Sequence, residues 1–588
     1  MQSSVLRWTF LLTLVWSIAA TARDDRGVPL DDDTTVQLHL HARSELIMTE
    51  KQLRQDREFR ESLSPIARQA ENIVAAIRQE EIDYFWRRPG PVGREDSERF
   101  AGMQFQKARP FILETKLWEI VQRMPKGSLL HVHSSAIVPF DIVYNALLNT
   151  EGIVISSSQP IDSEVAQRNA TITFTHINTT IETVSPSIHE ASYVPNTEIP
   201  ISAAAASFPG GRGAFIDFLK SKSTITYDEA TRHDLGVDAI WRKFQSCFGP
   251  AGAAMNYEPV LRTYLRALFE GLVDDGITWV ELRSGGSSPS LIPEGEEDVD
   301  PDLDFWWRVF LEEVDKFKAT EKGKEFWGVR VIWSDIRSWN RTVIIDAMKA
   351  AMQRKVTFPE LFSGYDLVAQ EDLGRPLVDI APELIWFQEQ TASLNISMPF
   401  FFHAGETLGD GNSTDNNLFD AVLFNSRRIG HGFSLYKHPK LMRLVQDQRV
   451  MVEVCPISSE VLRLATDVLH HPLPAMIAHG VPTAISNDDP SILGQDAPGL
   501  SFDFYQAIQG FDNLGLGGLG ALAQNSVRWS QFEDQSQEDW VRDIDLGVDG
   551  GGIKAKKLKE WHEKWETFCS WIVEQYGGQY NVTATLSA

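Results

Sequence analysis

Ser128-Leu129-Leu130-His131-Val132-His133 is a short apolar run that ends in two imidazoles. In an extended strand, residues i and i+2 face the same side, so His131 and His133 point together. Seven more runs of this kind follow, at residues 277–283, 329–336, 363–368, 398–403, 428–431, 450–455 and 483–486. Several are nearly continuous in apolar residues, as strands buried on both faces should be. Helix-length segments lie between most of them, which argues for parallel βαβ units. Eight such units predict an α/β fold of the (β/α)8 TIM barrel type, with an open doubly wound sheet as the alternative.

The residues that end these runs carry the chemistry. The fifth run leads into His403-Ala404-Gly405-Glu406, the sixth into Gly430-His431-Gly432, and the eighth into Asn487-Asp488-Asp489-Pro490. In a barrel, strand ends converge on one face, where such folds keep their active sites. Three neutral imidazoles and one carboxylate can hold a metal and still leave a position for water. A metal there lowers the pKa of water and makes hydroxide available. A second carboxylate can protonate the group under attack, and a further histidine can take or hold the proton of the water. No G-x-S-x-G elbow is visible, so covalent catalysis is not favoured. A His/carboxylate set suits Zn2+, although iron and cobalt fit similar ligands.

Composition sets the outer limits. The 588 residues are 43% apolar and 23% charged, an ordinary globular balance that allows a core of barrel size. The net charge of −26 repels phosphate backbones and argues against a nucleic-acid partner. It says nothing against a small neutral substrate. The three cysteines, Cys247, Cys455 and Cys569, make no disulfide scaffold, and Cys455 reads as a buried core thiol.

The N-terminus reads as a signal peptide over residues 1–22. Arg7 supplies a positive start, residues 8–20 are uncharged, and Ala20-Thr21-Ala22 fits a cleavage site. No later stretch reaches about 18 consecutive apolar residues, which predicts a secreted protein without a membrane span. Six sequons, at Asn169, Asn178, Asn340, Asn395, Asn412 and Asn581, predict a glycoprotein.

Residues 23–123 read as an N-terminal helical extension. Its first part, residues 23–45, reads as poorly ordered, and Pro89-Gly90-Pro91 interrupts it as a loop. It would be a dimerisation arm or a cover over one end of the main domain. The barrel is assigned to residues 124–149 and 236–575. Residues 150–235, rich in Ser, Thr, Ala and Asn, read as an inserted subdomain after the first strand. Residues 294–304 read as a solvated acidic loop, residues 515–520 as a glycine-rich turn, and residues 576–588 as a tail.

Met124-Pro125-Lys126-Gly127-Ser128-Leu129-Leu130-His131-Val132-His133 resembles the opening motif of the adenosine deaminase family. Phe402-His403-Ala404-Gly405-Glu406-Thr407, Arg428-Ile429-Gly430-His431-Gly432, Val454-Cys455-Pro456-Ile457-Ser458 and Ser486-Asn487-Asp488-Asp489-Pro490 are similar to its later motifs, in the same order. Trp241-x-x-Phe244, Val280-Glu281-Leu282-Arg283 and the Trp-rich stretch at 561–571 resemble the secreted branch, the adenosine deaminase-related growth factors. The resemblance implies that His131, His133, His403 and Asp488 bind one zinc ion per subunit. It implies that Glu406 protonates the purine N1, that His431 orients or deprotonates the attacking water, and that Asp489 hydrogen-bonds N7. Hydroxide would add at C6 and ammonia would leave. Trp241, Ala369 and Glu371 are the further substrate-binding candidates.

The departures cluster on the sugar side. Ser134-Ser135 follow the H-x-H pair where relatives usually carry an Asp that contacts the ribose. Ala369 stands where relatives place a Gly whose N–H meets the purine. Gln370 and Ile336 stand where the secreted branch has histidines. Adenosine, 2′-deoxyadenosine or a related 6-aminopurine nucleoside is therefore the expected substrate. Two alternatives are a secreted nucleoside-binding or growth-factor-like protein without turnover, and a zinc amidohydrolase with a non-purine substrate. A homodimer and a cell-surface receptor or glycan are the other partners this branch suggests.

Overall fold

In the computed structural model, residues 26, 28, 31, 33–87, 99–178, 186–285, 291–302 and 304–580 are described. The eleven strands are β1 (Gly127–His133), β2 (Ile153–Ser157), β3 (Ile172–His176), β4 (Ile199–Pro200), β5 (Ile277–Ser284), β6 (Gly328–Ile336), β7 (Phe362–Val368), β8 (His403–Ala404), β9 (Arg428–His431), β10 (Met451–Val454) and β11 (Thr483–Ile485). Seven of the eight apolar runs hold strands along most of their length, and the remaining one, 398–403, does so only at its end. They form two parallel sheets, in the orders β1-β5-β6-β7 and β11-β10-β9-β8. Almost every residue of β1, β5 and β6 is buried, as strands covered on both faces require.

Two parallel bridges lie where the sheets meet. Tyr365 of β7 pairs with Phe400, and Val132 of β1 pairs with Asp488. At the second seam the Asp488 N–H donates to the His131 carbonyl at 3.1 Å, and the His133 N–H donates to the Asp488 carbonyl at 3.0 Å. The run at 398–403 is mostly extended chain rather than ladder, and only its end is β8. Pro399 there has no N–H to give, though its carbonyl accepts from Tyr365 at 2.9 Å.

The long interval between β1 and β5 holds a small antiparallel sheet, β3-β2-β4, together with several helices. Its strands were not anticipated, because β2 and β3 are short and rich in Ser and Thr. The helix Val237–Ala254 follows and buries Trp241, Phe244 and Cys247 along one face.

Two expectations need correction. Residues 34–45 are not unstructured. They belong to the helix Thr34–Lys51, whose first turn is capped by the Asp33 carboxylate accepting from Thr35. None of its residues is buried. The glycines at 515–520 are not a turn either, because they open the helix Gly515–Arg528. Glycine is used there for close approach: a Cβ on Gly520 would lie 2.6 Å from both Phe59 and Trp565, and one on Gly517 would lie 2.8 Å from Glu71. In the N-terminal extension, residues 57–81 pack against the rest of the chain. The helices Arg57–Ser62 and Pro65–Glu81 pack on the Gly515–Arg528 helix, and Pro65–Glu81 also packs on the C-terminal helix Ile553–Tyr576. Phe59, Ile73 and Ile77 join one core cluster that runs to Tyr576.

All three cysteines are buried and free. Five sequon asparagines are exposed. The signal-peptide residues 1–22, Pro89-Gly90-Pro91 and Asn581 lie outside the described residues. No helix among the described residues is long and apolar enough to cross a membrane.

Candidate active site

The ends of β1, β8 and β9 and the residues after β11 bring His131, His133, His403, His431 and Asp488 together. Ring centroids of His131 lie 4.5 Å from His403, 4.6 Å from His431 and 5.7 Å from His133. Asp488 Oδ1 sits between two imidazoles, 3.4 Å from His131 Nε2 and 3.3 Å from His133 Nε2. Its other oxygen accepts from the Ser458 hydroxyl at 2.7 Å.

Local sequence explains why these groups can crowd. A Cβ on Gly430 would lie 2.7 Å from the His131 ring, so only glycine fits beside it. His431 and Asp488 both adopt φ near 59°, a left-handed conformation that non-glycine residues adopt only when their surroundings impose it.

Two of these imidazoles have their other nitrogen held by a buried carboxylate. His131 Nδ1 lies 2.9 Å from Glu453 and His403 Nδ1 lies 2.7 Å from Asp366. This fixes ring orientation and leaves both Nε2 atoms for a ligand. The carboxylates belong to a buried charge network. Arg283 donates to Asp366 at 2.8 Å and to Glu453 at 2.5 Å, and Arg428 joins Glu453 to Glu281. Burial alone would raise Asp366 and Glu453, but their cationic and imidazole partners hold both far below the usual carboxylate range. Burial drives His403 down to about 3, and lowers His133 and His431 as well, so all three are neutral. Asp488 is held low despite burial by the imidazoles of His131, His133 and His431.

The residues fit a zinc ion. His131 Nε2 is buried without a hydrogen-bond partner, next to a low-pKa carboxylate. Neutral imidazole with oriented carboxylate support is the donor chemistry zinc takes. One set of ligand atoms, all within 4.8 Å of one another, comprises His131, His403, His431 and Asp488. His133 groups instead with Asp488 and Asp489.

Two carboxyl groups face this cluster with a different character. Burial, the Asp488 charge and the Glu371 charge push Glu406 well above the ordinary range. Its Oε1 is buried without a hydrogen bond, 3.7 Å from His431 Nδ1. Burial and the neighbouring Asp488 raise Asp489 in the same way, and neither of its oxygens has a partner. Burial thus favours the protonated form of both, and both line a cavity of about 640 Å3.

That cavity is also lined by Trp241 and Ala369, the latter at φ 78°. Ser134, Ser135 and Ile336 lie on its wall too. Glu371 is placed differently. It stands behind the site, where its carboxylate accepts from the backbone N–H groups of Gly405 and Glu406 and from Asn417. Arg337 donates to the His403 carbonyl at 2.7 Å and lies 3.4 Å from Glu371. Gln370 turns away to Asp238. The support residues Glu281, Arg283, Asp366, Arg428 and Glu453 were not singled out as site groups from sequence. The available signal was a charge inside an otherwise apolar strand, which must be paired when buried.

A model of the adenosine deaminase family matches residues 236–545. Adenosine deaminase 2-A of Danio rerio is 32% identical over 454 residues, 75% of this chain and 82% of that protein. Adenosine deaminase 2 of Sus scrofa is 31% identical, covering 79% of this chain and 83% of its own length. A solved adenine deaminase from Arthrobacter aurescens superposes with a TM-score of 0.45 at 16% identity, over 75% of this chain and 99% of that one. By the match to the family model and the extent of its relatives, this chain belongs to the adenosine deaminase family.

Proposed function

We propose that the chain is a zinc-dependent hydrolase that converts adenosine, or a related 6-aminopurine nucleoside, to the 6-oxo product and ammonia. The observation that carries this is Glu406 Oε1, buried without a hydrogen bond and 3.7 Å from His431 Nδ1, beside the imidazole–Asp488 cluster. His131, His133, His403 and Asp488 would hold zinc, which when bound would supply a water that is nucleophilic near neutral pH.

The protein groups do the rest. Glu406 donates its proton to the purine N1, which makes C6 electrophilic. His431 orients the water and takes its proton as oxygen bonds to C6. Asp489, kept protonated by its neighbour, donates to N7. The C6–N bond then breaks and the amino group leaves as ammonia. Glu371 and Arg337 position this machinery, because Glu371 holds the Gly405 and Glu406 amides and Arg337 holds the His403 carbonyl.

The same reading covers the architecture. The two sheets and their bridges are read as one closed eight-stranded barrel over residues 124–149 and 236–575, with residues 150–235 inserted. The chain is read as secreted and glycosylated. The signal-like N-terminus and the exposed sequons support this.

Loss of absorbance at the adenosine band tests the activity. Zinc-loaded protein should show it, a chelator should stop it, and Glu406→Gln should abolish it. No loss from folded, metal-loaded protein across a panel of 6-aminopurine nucleosides defeats the reading.

A further inference from the structure

The cavity that holds the polar cluster continues well beyond it. Three helices each bring an i, i+3 or i, i+4 apolar set to its wall. Phe244 comes from Val237–Ala254, Leu261, Leu265 and Leu268 come from Glu258–Asp274, and Trp306 and Phe310 come from Phe305–Lys318. Such stripes usually fill a core. Here they face open volume, although protein interiors leave few voids larger than a water molecule.

The two ends of the cavity are joined through the residues that follow β1. Tyr264 donates its hydroxyl to the Ser134 carbonyl at 2.5 Å, directly after His133. The apolar helix face therefore begins where the strand end leaves the metal ligands. Charge is distributed unevenly between the ends. Among the described lining residues, the carboxylates and histidines all belong to the polar cluster. The one cation on the wall, Arg283, is already paired with Asp366 and Glu453. Nothing there is available to neutralise a phosphate.

We infer that the site takes 6-aminopurine nucleosides whose sugar carries an apolar group in place of the 5′-hydroxyl, such as a 5′-alkylthio substituent, with that group seated among Leu261, Leu265, Leu268 and Phe310. This rests on the deaminase reading of the same site. The purine end is bound by Glu406 and Asp489. The far end selects by burial, and each added methylene in such a pocket is worth roughly tenfold or more in kcat/KM.

The test compares full-length, zinc-loaded protein on adenosine, 5′-deoxyadenosine, 5′-methylthio-5′-deoxyadenosine and adenosine 5′-monophosphate. The methylthio nucleoside should exceed adenosine by about tenfold in kcat/KM, mainly through KM, and the monophosphate should be the poorest. Leu265→Phe, which shortens the apolar end, should reduce the methylthio-to-adenosine ratio by about as much. Leu268→Phe asks the same question if the first variant does not fold. Adenosine turned over as well as or better than the methylthio compound overturns this inference and leaves the deaminase reading intact. So does a ratio unchanged in the variants. No turnover of any nucleoside overturns both.

Discussion

Glu453 Oε2 lies 2.9 Å from His131 Nδ1, and the same carboxylate is gripped by Arg283 and Arg428 in a fully buried site. One side chain therefore orients a metal ligand and balances two cations that have no access to water.

Replacing that group should damage metal binding and stability together. Glu453→Gln keeps the shape but removes the charge. We expect zinc affinity to fall about 10- to 100-fold, read by chelator competition. The melting temperature should also fall, because breaking such a buried pair costs about 3–5 kcal/mol.

Glu406 should behave in the opposite way. Its carboxyl is raised by burial and by Asp488 and Glu371, so folding favours its neutral form. Glu406→Gln should lower kcat by about 10²- to 10⁴-fold while metal content stays full. Thermal stability above the ordinary glutamate pKa should be equal or higher, since the variant no longer has a buried carboxylate to keep neutral. A drop in melting temperature at neutral pH would contradict this assignment.

Asp335 offers a pH signature away from the catalytic groups. Burial raises it from 3.8 to about 7, although Tyr365 and Trp333 both donate to it. The folded state then binds a proton that the unfolded chain releases near pH 4. Stability from this group is fully present below that pH and is lost as pH rises towards 7, by up to about 4 kcal/mol. Asp335→Asn should flatten that part of the melting profile between pH 4.5 and 7.5.

Ala369 holds φ at 78° on the cavity wall. A Cβ is unfavourable there by about 1–2 kcal/mol, partly offset by the extra freedom of glycine in the unfolded chain. Ala369→Gly should raise stability by up to about 1 kcal/mol, measured by denaturant unfolding. A loss would show that the methyl group makes contacts worth more than the strain.

Gly520 tests how the N-terminal helices are seated. A methyl group there meets Phe59 and Trp565 at 2.6 Å. Gly520→Ala should cost about 1–3 kcal/mol and loosen residues 57–81, visible as faster amide exchange in that segment.

Most strands of the two parallel sheets were legible because they are buried apolar runs, and burial on both faces leaves little sequence ambiguity. His131, His403, His431 and Asp488 were legible because polar residues ended those runs. The support behind them was harder to see. Asp366 and Glu453 lie one or two positions inside apolar strands and gain meaning only from partners distant in sequence, Arg283 and His131. Glu371 was read as a substrate-binding candidate, but it lies in the turn after β7, and its carboxylate accepts from the Glu406 amide behind the site. The glycines at 515–520 misled for a related reason. Glycine weakens a helix locally, and only the tertiary neighbours Phe59 and Trp565 show why it is used in one.

The seam at Asp488 has a consequence for how the protein matures. Its backbone exchanges hydrogen bonds with His131 and His133 while its side chain faces their rings. The first and last parallel segments are thus stitched together by the residue that completes the metal set. A nascent chain still missing its last strand cannot assemble that set, however well its earlier segments have condensed. On the proposed zinc reading, metal uptake would report that the segment after β11 has docked on β1, and an ion binding only that state would pull this docking step towards completion.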